Sequence, residues 1–496
     1  MEGIEMPVDN DDNERGFQSR AVDRRDFLKF SGAIAAVFGG AGMGMFGYAA
    51  GKDPGTYTGT ESFQGAAQSF DRAKHAVTGA VHEKVGPTSR IDARTEVIFA
   101  RVPRLMRTWN DETGLEGLDD HLREYYEKHP EDLEEDLRLR KEIYPARRKD
   151  NGEYGDRFIL AEAWSHAMGE VWPEGISEPP EVSDFPKGEG FGYPAEPYKM
   201  KSPALTAKLI KQMSYQFGST LTGITELNPD WVYKYPMRGR GFDENEPLEV
   251  PKHWKYAIVV GTPMSWDPFY ANPNFGTSHD AYAKSRIVAH RLAAFIRLLG
   301  YPARQHTPGT EYDLMVPPIA IDAGLGEQGR HGVLITPELG SNIRPAVITT
   351  NIPMETDRPI RFGVKEFCRT CKICAEQCPS GAISFDSEVE VRGYRRWQIN
   401  RSKCHNFWYS NLGNIGCRIC VAVCPYSRKS NWLHRTALNV TSNDPTGLSH
   451  QALTAMQKVL FPGHNAKDYY MPSMGGYNAS YRDAPWWLKA EDFIDL

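Results

Sequence analysis

All eight cysteines of this 496-residue chain fall between Cys368 and Cys424, and that confinement limits the possible folds more than any other feature. The first four read Cys368-x2-Cys371-x2-Cys374-x3-Cys378-Pro379. This spacing lets one tight loop turn three thiolates onto one face of an iron-sulfur cubane, while the fourth, just before proline, points elsewhere. The second four read Cys404-x12-Cys417-x2-Cys420-x3-Cys424-Pro425. Eight thiolates are what two four-iron four-sulfur clusters require. In the crossed arrangement of two-cluster ferredoxins, Cys368, Cys371 and Cys374 hold one cluster with Cys424, and Cys404, Cys417 and Cys420 hold the other with Cys378. Paired four-thiolate zinc sites compete with this reading, and the twice-repeated x3-Cys-Pro ending favours iron-sulfur. The x12 gap inserts His405 to Gly416, whose Phe407, Trp408 and Tyr409 would exclude water beside one cluster and shift its potential.

The amino-terminal region addresses the compartment. Arg24-Arg25-Asp26-Phe27-Leu28-Lys29 precedes an uncharged stretch, and six of the twenty residues from Ser31 to Ala50 are Gly and six are Ala. A membrane span wants more Leu, Ile and Val, because glycine adds little transfer energy and weakens a helix. Paired arginines before a mildly apolar segment fit a twin-arginine export signal over residues 1–50. That route carries folded, cofactor-loaded proteins, so eight free thiols are compatible with export. The 58 Lys+Arg against 64 Asp+Glu, net charge -6, with no long basic run, argue against nucleic-acid binding.

Along the chain, residues 51–252 read as an arm and wrapping unit. Within them Glu131 to Tyr144 places Leu133, Leu137 and Ile143 near one face, as in an amphipathic surface helix with a solvated polar face. Trp172 to Pro203 reads as an irregular wrapping loop. From Trp254 the texture changes. Tyr256 to Val260 reads as a buried strand, and Ala281 to Leu299 as a helix whose Tyr282, Ser285, Ala289, Leu292, Ile296 and Leu299 share a face and whose stop is Gly300. Val333 to Thr336 and Ala346 to Thr350 are further strands. This order predicts an α/β or α+β core over 253–363, followed by a ferredoxin-like segment at 364–428 and a segment at 429–496 that completes the core with its aromatic-rich end. Gly324-Leu325-Gly326-Glu327-Gln328-Gly329 matches a dinucleotide fingerprint on paper, but it runs into a strand rather than opening a helix. Its glycines are expected to press backbone against a bulky neighbour such as a cofactor.

At this point the chain resembles a known family, the corrinoid-dependent reductive dehalogenases. The resemblance rests on the Arg24-Arg25 signal, on Phe295-Ile296-Arg297 to Tyr301, on Ala323-Gly324-Leu325-Gly326-Glu327 to Gly329-Arg330, on Leu334 to Glu338, on Phe362-Gly363-Val364 to Cys368, and on both cysteine sets. It implies a nitroreductase-like α/β core binding a cobamide with its lower base displaced. In keeping with this, the sequence has no D-x-H-x-x-G, and Asp119-Asp120-His121 lacks the Gly. It also implies a tyrosine proton donor and a nearby basic residue, matched by Tyr282 at the start of the Ala281 helix and by Arg344. A phenol titrates near pH 10 and a neighbouring guanidinium lowers that value, strengthening the acid. Ser285 and Ala289, on the Tyr282 face, are expected to leave room for a flat macrocycle. The Asn that some members carry 26 to 28 residues after the tyrosine has no counterpart in Pro308-Gly309-Thr310.

The implied partners are an organohalide substrate, a small integral-membrane anchor protein and a membrane electron-donor chain, with the mature protein peripheral on the outer face of the cytoplasmic membrane. Two rivals share part of this pattern. An epoxyqueuosine reductase has the same corrinoid and paired clusters but needs no export signal. A ferredoxin-type electron-transfer subunit needs no large core before its cysteines.

Overall fold

The computed structural model describes residues 70–143, 196–236, 247–266, 269, 276–307, 313–411, 416–429, 432–444 and 446–460. The twin-arginine region, most of the Trp172–Pro203 loop, the Pro308-Gly309-Thr310 stretch and the aromatic end lie outside these residues.

The core is a sheet of four strands in the order β1-β2-β6-β3, with every neighbouring pair antiparallel. In chain order the strands are β1 (Leu221–Glu226), β2 (Tyr256–Pro263), β3 (Ala303–His306), the short hairpin pair β4 (Glu327–Gln328) and β5 (Leu334–Ile335), and β6 (Ile343–Thr350). Of the two classes the sequence left open, the antiparallel pairing makes this an α+β core. Successive side chains of β2 point to opposite faces. Ile258 and Val260, with Ile224, Ala346 and Ile348, pack under Val288, Leu292 and Ile296 of the Gly276–Leu298 helix. Ala257, Val259 and Val347 pack on Ile319 and Ala320 of the Val316–Asp322 helix. Both faces are covered, so β2 reads as an unbroken apolar run instead of an alternating one.

Strand β1 comes from the 51–252 segment, so the core sheet begins upstream of residue 253. The long helix starts at Gly276 rather than Ala281, which puts Tyr282 in its second turn and not at its start. It stops at Gly300, whose φ of +85° suits glycine, with Gly300 N–H donating to Arg297 O at 2.8 Å. Ala289 is packed against the sheet, so that position leaves no room for a macrocycle. The glycine-rich turn enters β4, as its order in the chain requires. A Cβ at Gly326 would lie 1.9 Å from Ile335 O, so this glycine is pressed against its own hairpin partner.

The cysteine segment grows out of this core. Short helices Val364–Thr370, Ile373–Glu376 and Ile419–Ala422, the helix Arg401–Asn411 and the hairpin β7 (Val389–Val391) and β8 (Tyr394–Arg396) enclose the thiols. Ile335, Phe362 and Val364 share one apolar core with Phe367, Phe407, Ile419 and Leu438, so sheet and cysteine segment are packed together. At the junction Glu327 is buried and accepts hydrogen bonds from Phe362 N–H at 2.7 Å and Val364 N–H at 3.2 Å. Burial pushes its carboxyl up to about 7 against those donors.

The 131–144 stretch differs from a simple surface helix. It is a helix at Pro130–Arg138 followed by a wider π turn at Leu139–Ile143, and its polar face carries Asp136 with no exposed surface. Arg101, on the Ile98–Thr108 helix, donates from Nε to Asp136 Oδ2 at 2.8 Å, from Nη1 to Tyr125 Oη at 2.6 Å and from Nη2 to Ser402 Oγ at 3.0 Å. Burial works against the Arg101 charge, but Asp136, Tyr125 and Asp132 outweigh it and hold the guanidinium above its ordinary range. Ser402 opens the helix that bears Cys404, so the amino-terminal helices buttress the second cysteine set.

Two outcomes follow from these junctions. Asp136→Ala removes the nearer of two carboxylates from a buried guanidinium, leaving Asp132 at 3.3 Å, and is expected to cost about 3 kcal/mol in denaturant unfolding. A loss below about 1 kcal/mol would show that the network is dispensable. For Glu327 the folded value lies above the ordinary 4.5, so its stabilising contribution is full below pH 4.5 and is lost as pH rises through about 7. Glu327→Gln keeps an acceptor for both N–H groups without the titration. Thermal unfolding at pH 5.5, 7 and 8.5 should fall more steeply with pH in the unsubstituted protein than in this variant, and parallel curves would refute the assignment.

Candidate functional site

The eight cysteines are all free thiols, and they gather into two groups. Cys424 acts electrostatically on Cys368 and Cys374, and Cys371 on Cys424. Cys404 pairs in the same sense with Cys378, and Cys417 and Cys420 with both. The groups adjoin where Cys374 and Cys424 approach Cys420. The first group lines a small cavity walled by Arg330, His331 and Tyr426. Burial, above all, pushes Cys404 and Cys424 up to about 12, and Cys368, Cys374 and Cys420 well above the ordinary thiol range. Thiols so placed gain from exchanging their protons for soft metal ions, which is the donor chemistry of an iron-sulfur cluster. Trp408 approaches the Cys404 thiol and Phe407 is buried among the first group's neighbours, so both of these inserted aromatics lie against cysteines. Residues 412–415 of the insertion lie outside the described residues.

Arg330 reaches this cavity from the loop between β4 and β5. Its Nε and Nη2 donate to Cys368 O at 3.1 and 3.0 Å, and Nη1 donates to Ser384 O at 2.9 Å and Asp386 O at 2.8 Å. His331 contacts Ser341 Oγ through Nε2 at 3.3 Å, and its Nδ1 accepts from Val333 N–H at 3.2 Å. Burial takes this imidazole down to about 4, so it is neutral at pH 7.

Tyr282 and Arg344 come together beside the second group. Arg344 lies in β6, opposite Thr262 of β2, and its guanidinium carbon sits 5.3 Å from the centre of the Tyr282 ring. Its Nη2 donates to Ser278 Oγ at 2.9 Å, one helical turn before Tyr282, which aims the guanidinium along the helix. Ser278 Oγ in turn faces Met264 Sδ at 3.8 Å, and Asn342 Nδ2 donates to Met264 O at 3.0 Å. Arg344 Nε and Asn342 Oδ1 are buried without a hydrogen-bond partner among the described residues.

A third residue, absent from the sequence reading, joins this pair to the thiols. Arg418 is 6% exposed, and its Nη1 lies 3.0 Å from Met264 Sδ. Burial, then the like charge of Arg344, lowers it to about 9, while Tyr282, Cys417 and Cys420 favour its charge. It is still a cation at pH 7. The available signal was a long charged side chain inside Cys417-x2-Cys420, at a φ of +54° that non-glycine residues seldom adopt.

Comparison with known proteins bears on this arrangement. Residues 367–428 match the 4Fe-4S dicluster domain family. The tetrachloroethene reductive dehalogenase of Sulfurospirillum multivorans is 31% identical over 277 residues, covering 49% of this chain and 54% of that protein. An epoxyqueuosine reductase of Lactococcus garvieae is 30% identical over a shorter 116 residues, 23% of this chain and 32% of its own length. The solved structure of the catabolic reductive dehalogenase NpRdhA superposes with a TM-score of 0.58 at 22% identity, covering 81% of this chain and 50% of that one. The chain spans about half the length of the curated relatives it matches. The resemblance to the reductive dehalogenases read from the sequence thus holds in both sequence and fold, around a segment that carries two 4Fe-4S clusters.

Proposed function

We propose that this chain is a reductive dehalogenase, which uses two electrons and one proton to replace one halogen of an organohalide by hydrogen with release of halide, or two electrons to eliminate vicinal halogens as two halide ions. The carrying observation is the half-buried Tyr282–Arg344 pair, standing beside the second of two groups of four thiols. Cys368, Cys371, Cys374 and Cys424 would hold one 4Fe-4S cluster, and Cys378, Cys404, Cys417 and Cys420 the other, which supplies the one-electron steps. The unpartnered Arg344 Nε and Asn342 Oδ1 beside Tyr282 suit a large ligand with polar side groups, such as a cobamide in its base-off form. When bound, that group supplies the low-valent cobalt that cleaves the carbon–halogen bond.

The chain's own contribution is the proton and its environment. Tyr282 Oη would deliver the proton to the carbon that loses halogen, as a positioned general acid. Arg344, fixed by Ser278, holds its guanidinium carbon 5.3 Å from the centre of the Tyr282 ring. Arg418 adds a second buried cation on the thiol side.

Export by the twin-arginine signal, residence on the outer membrane face, and partnership with a membrane anchor and an electron-donor chain belong to the same proposal. No helix of the described residues is long and apolar enough to cross a membrane.

Anaerobic reconstitution with cobamide, followed by a screen of chlorinated ethenes, ethanes and aromatics with a low-potential dye, tests the activity. About one cobalt with about eight irons per chain is expected, and iron without cobalt would indicate an electron-transfer subunit. Tyr282→Phe should retain both metals while turnover falls about 10²–10⁴-fold, the usual worth of a positioned acid. Near-normal turnover with full cofactor would return Tyr282 to the ranks of core tyrosines.

A further inference from the structure

Arg330 is 3% exposed, yet among the described residues its partners are three carbonyl oxygens and an aromatic ring, with no carboxylate among them. A buried guanidinium without an anion is costly, and buried charges in proteins are normally paired. The missing anion is indicated by position. Arg330 lines the cavity shared by Cys368, Cys371, Cys374 and Cys424. Four thiolates around a cubane leave the whole cluster anionic in a dry core, where a nearby cation has its greatest effect. His331, the next residue, is neutral. Arg428 acts on Cys424 from the other side, but it is only partly buried.

We propose that Arg330 is the built-in counter-charge of the cluster held by these four cysteines, raising its reduction potential while clamping the helix that carries Cys368. The clamp and the charge are separable. Two donors fix Cys368 O, and the third nitrogen ties the same guanidinium to Ser384 O and Asp386 O. The guanidinium lies 4.9 Å from the Trp397 ring, which helps keep water from the charge. This inference rests on the ligand assignment above and is independent of the substrate.

The test is a redox titration of the purified holoprotein, followed by electron paramagnetic resonance, with iron counted in every sample. In Arg330→Gln one of the two midpoint potentials should move negative by at least a factor of ten in the one-electron equilibrium, about 59 mV, while the other stays put. Arg330→Lys keeps the charge but loses the bidentate clamp, so its potential should stay near the original even if iron retention drops. Two unmoved midpoints in Arg330→Gln with full iron would overturn the proposal. If Arg330→Gln retains no cluster at this site, Arg330→Lys decides: an original potential supports the counter-charge, and a large negative shift overturns it. An unsubstituted protein without two four-iron clusters would instead refute the ligand assignment, and absence of dehalogenation would bear only on the proposed reaction.

Discussion

Two anionic clusters in an interior that must exclude water create a demand for buried positive charge, and much of the structure can be understood as meeting it. Arg330 stands at the first thiol group and Arg418 at the second, each more than nine-tenths buried. Neither is placed by a surface loop free to swing away. Arg330 is fixed by the turn between β4 and β5, and Arg418 by a left-handed residue between Cys417 and Cys420. The cations therefore come with the same backbone that gathers the thiols, and dryness makes their charges count.

The antiparallel sheet supplies the rigid side of this arrangement. Its β6 strand brings Arg344 to the end of the Gly276–Leu298 helix that carries Ser278 and Tyr282, and β2 delivers Met264 just past its last residue. Met264 sulfur lies within reach of both Ser278 and Arg418, so one thioether stands between the tyrosine site and the second thiol group. A soft, polarizable atom suits a place where a hydroxyl and a guanidinium converge.

How much of this was legible in the sequence depended on how local each signal was. The cysteine segment was readable because metal-ligand spacing is a short-range property. Strand β2 was readable because both of its faces are buried. Strand β1 hid behind Thr222, Gly223 and Thr225, and β3, Ala303-Arg304-Gln305-His306, hid because its polar side chains are buried. Arg304 pairs with Asp313, and His306 meets Thr349 Oγ1 at 2.9 Å, partners that no local pattern announces. The first turn of the Tyr282 helix, Gly276-Thr277-Ser278, is polar and small, so periodicity began too late. Asp136 read as a solvated face because its cation, Arg101, lies on another helix. Arg344 was picked out only by family likeness, and the roles of Arg330 and Arg418 exist only once distant loops meet.

The span of the Arg101–Ser402 hydrogen bond has a consequence in time. The two residues are 301 positions apart, and Arg72 reaches across 266 positions to both carboxylate oxygens of Glu338. At ribosomal rates of about 5–20 residues per second, a separation of about 300 residues delays the partner by roughly 15–60 s. During that interval the Ile98–Thr108 helix has its guanidinium but not its full set of acceptors, and contacts of such long sequence separation form slowly even after synthesis. Completion of the amino-terminal unit's hydrogen bonding is therefore a late event that reports the arrival of the Cys404 helix.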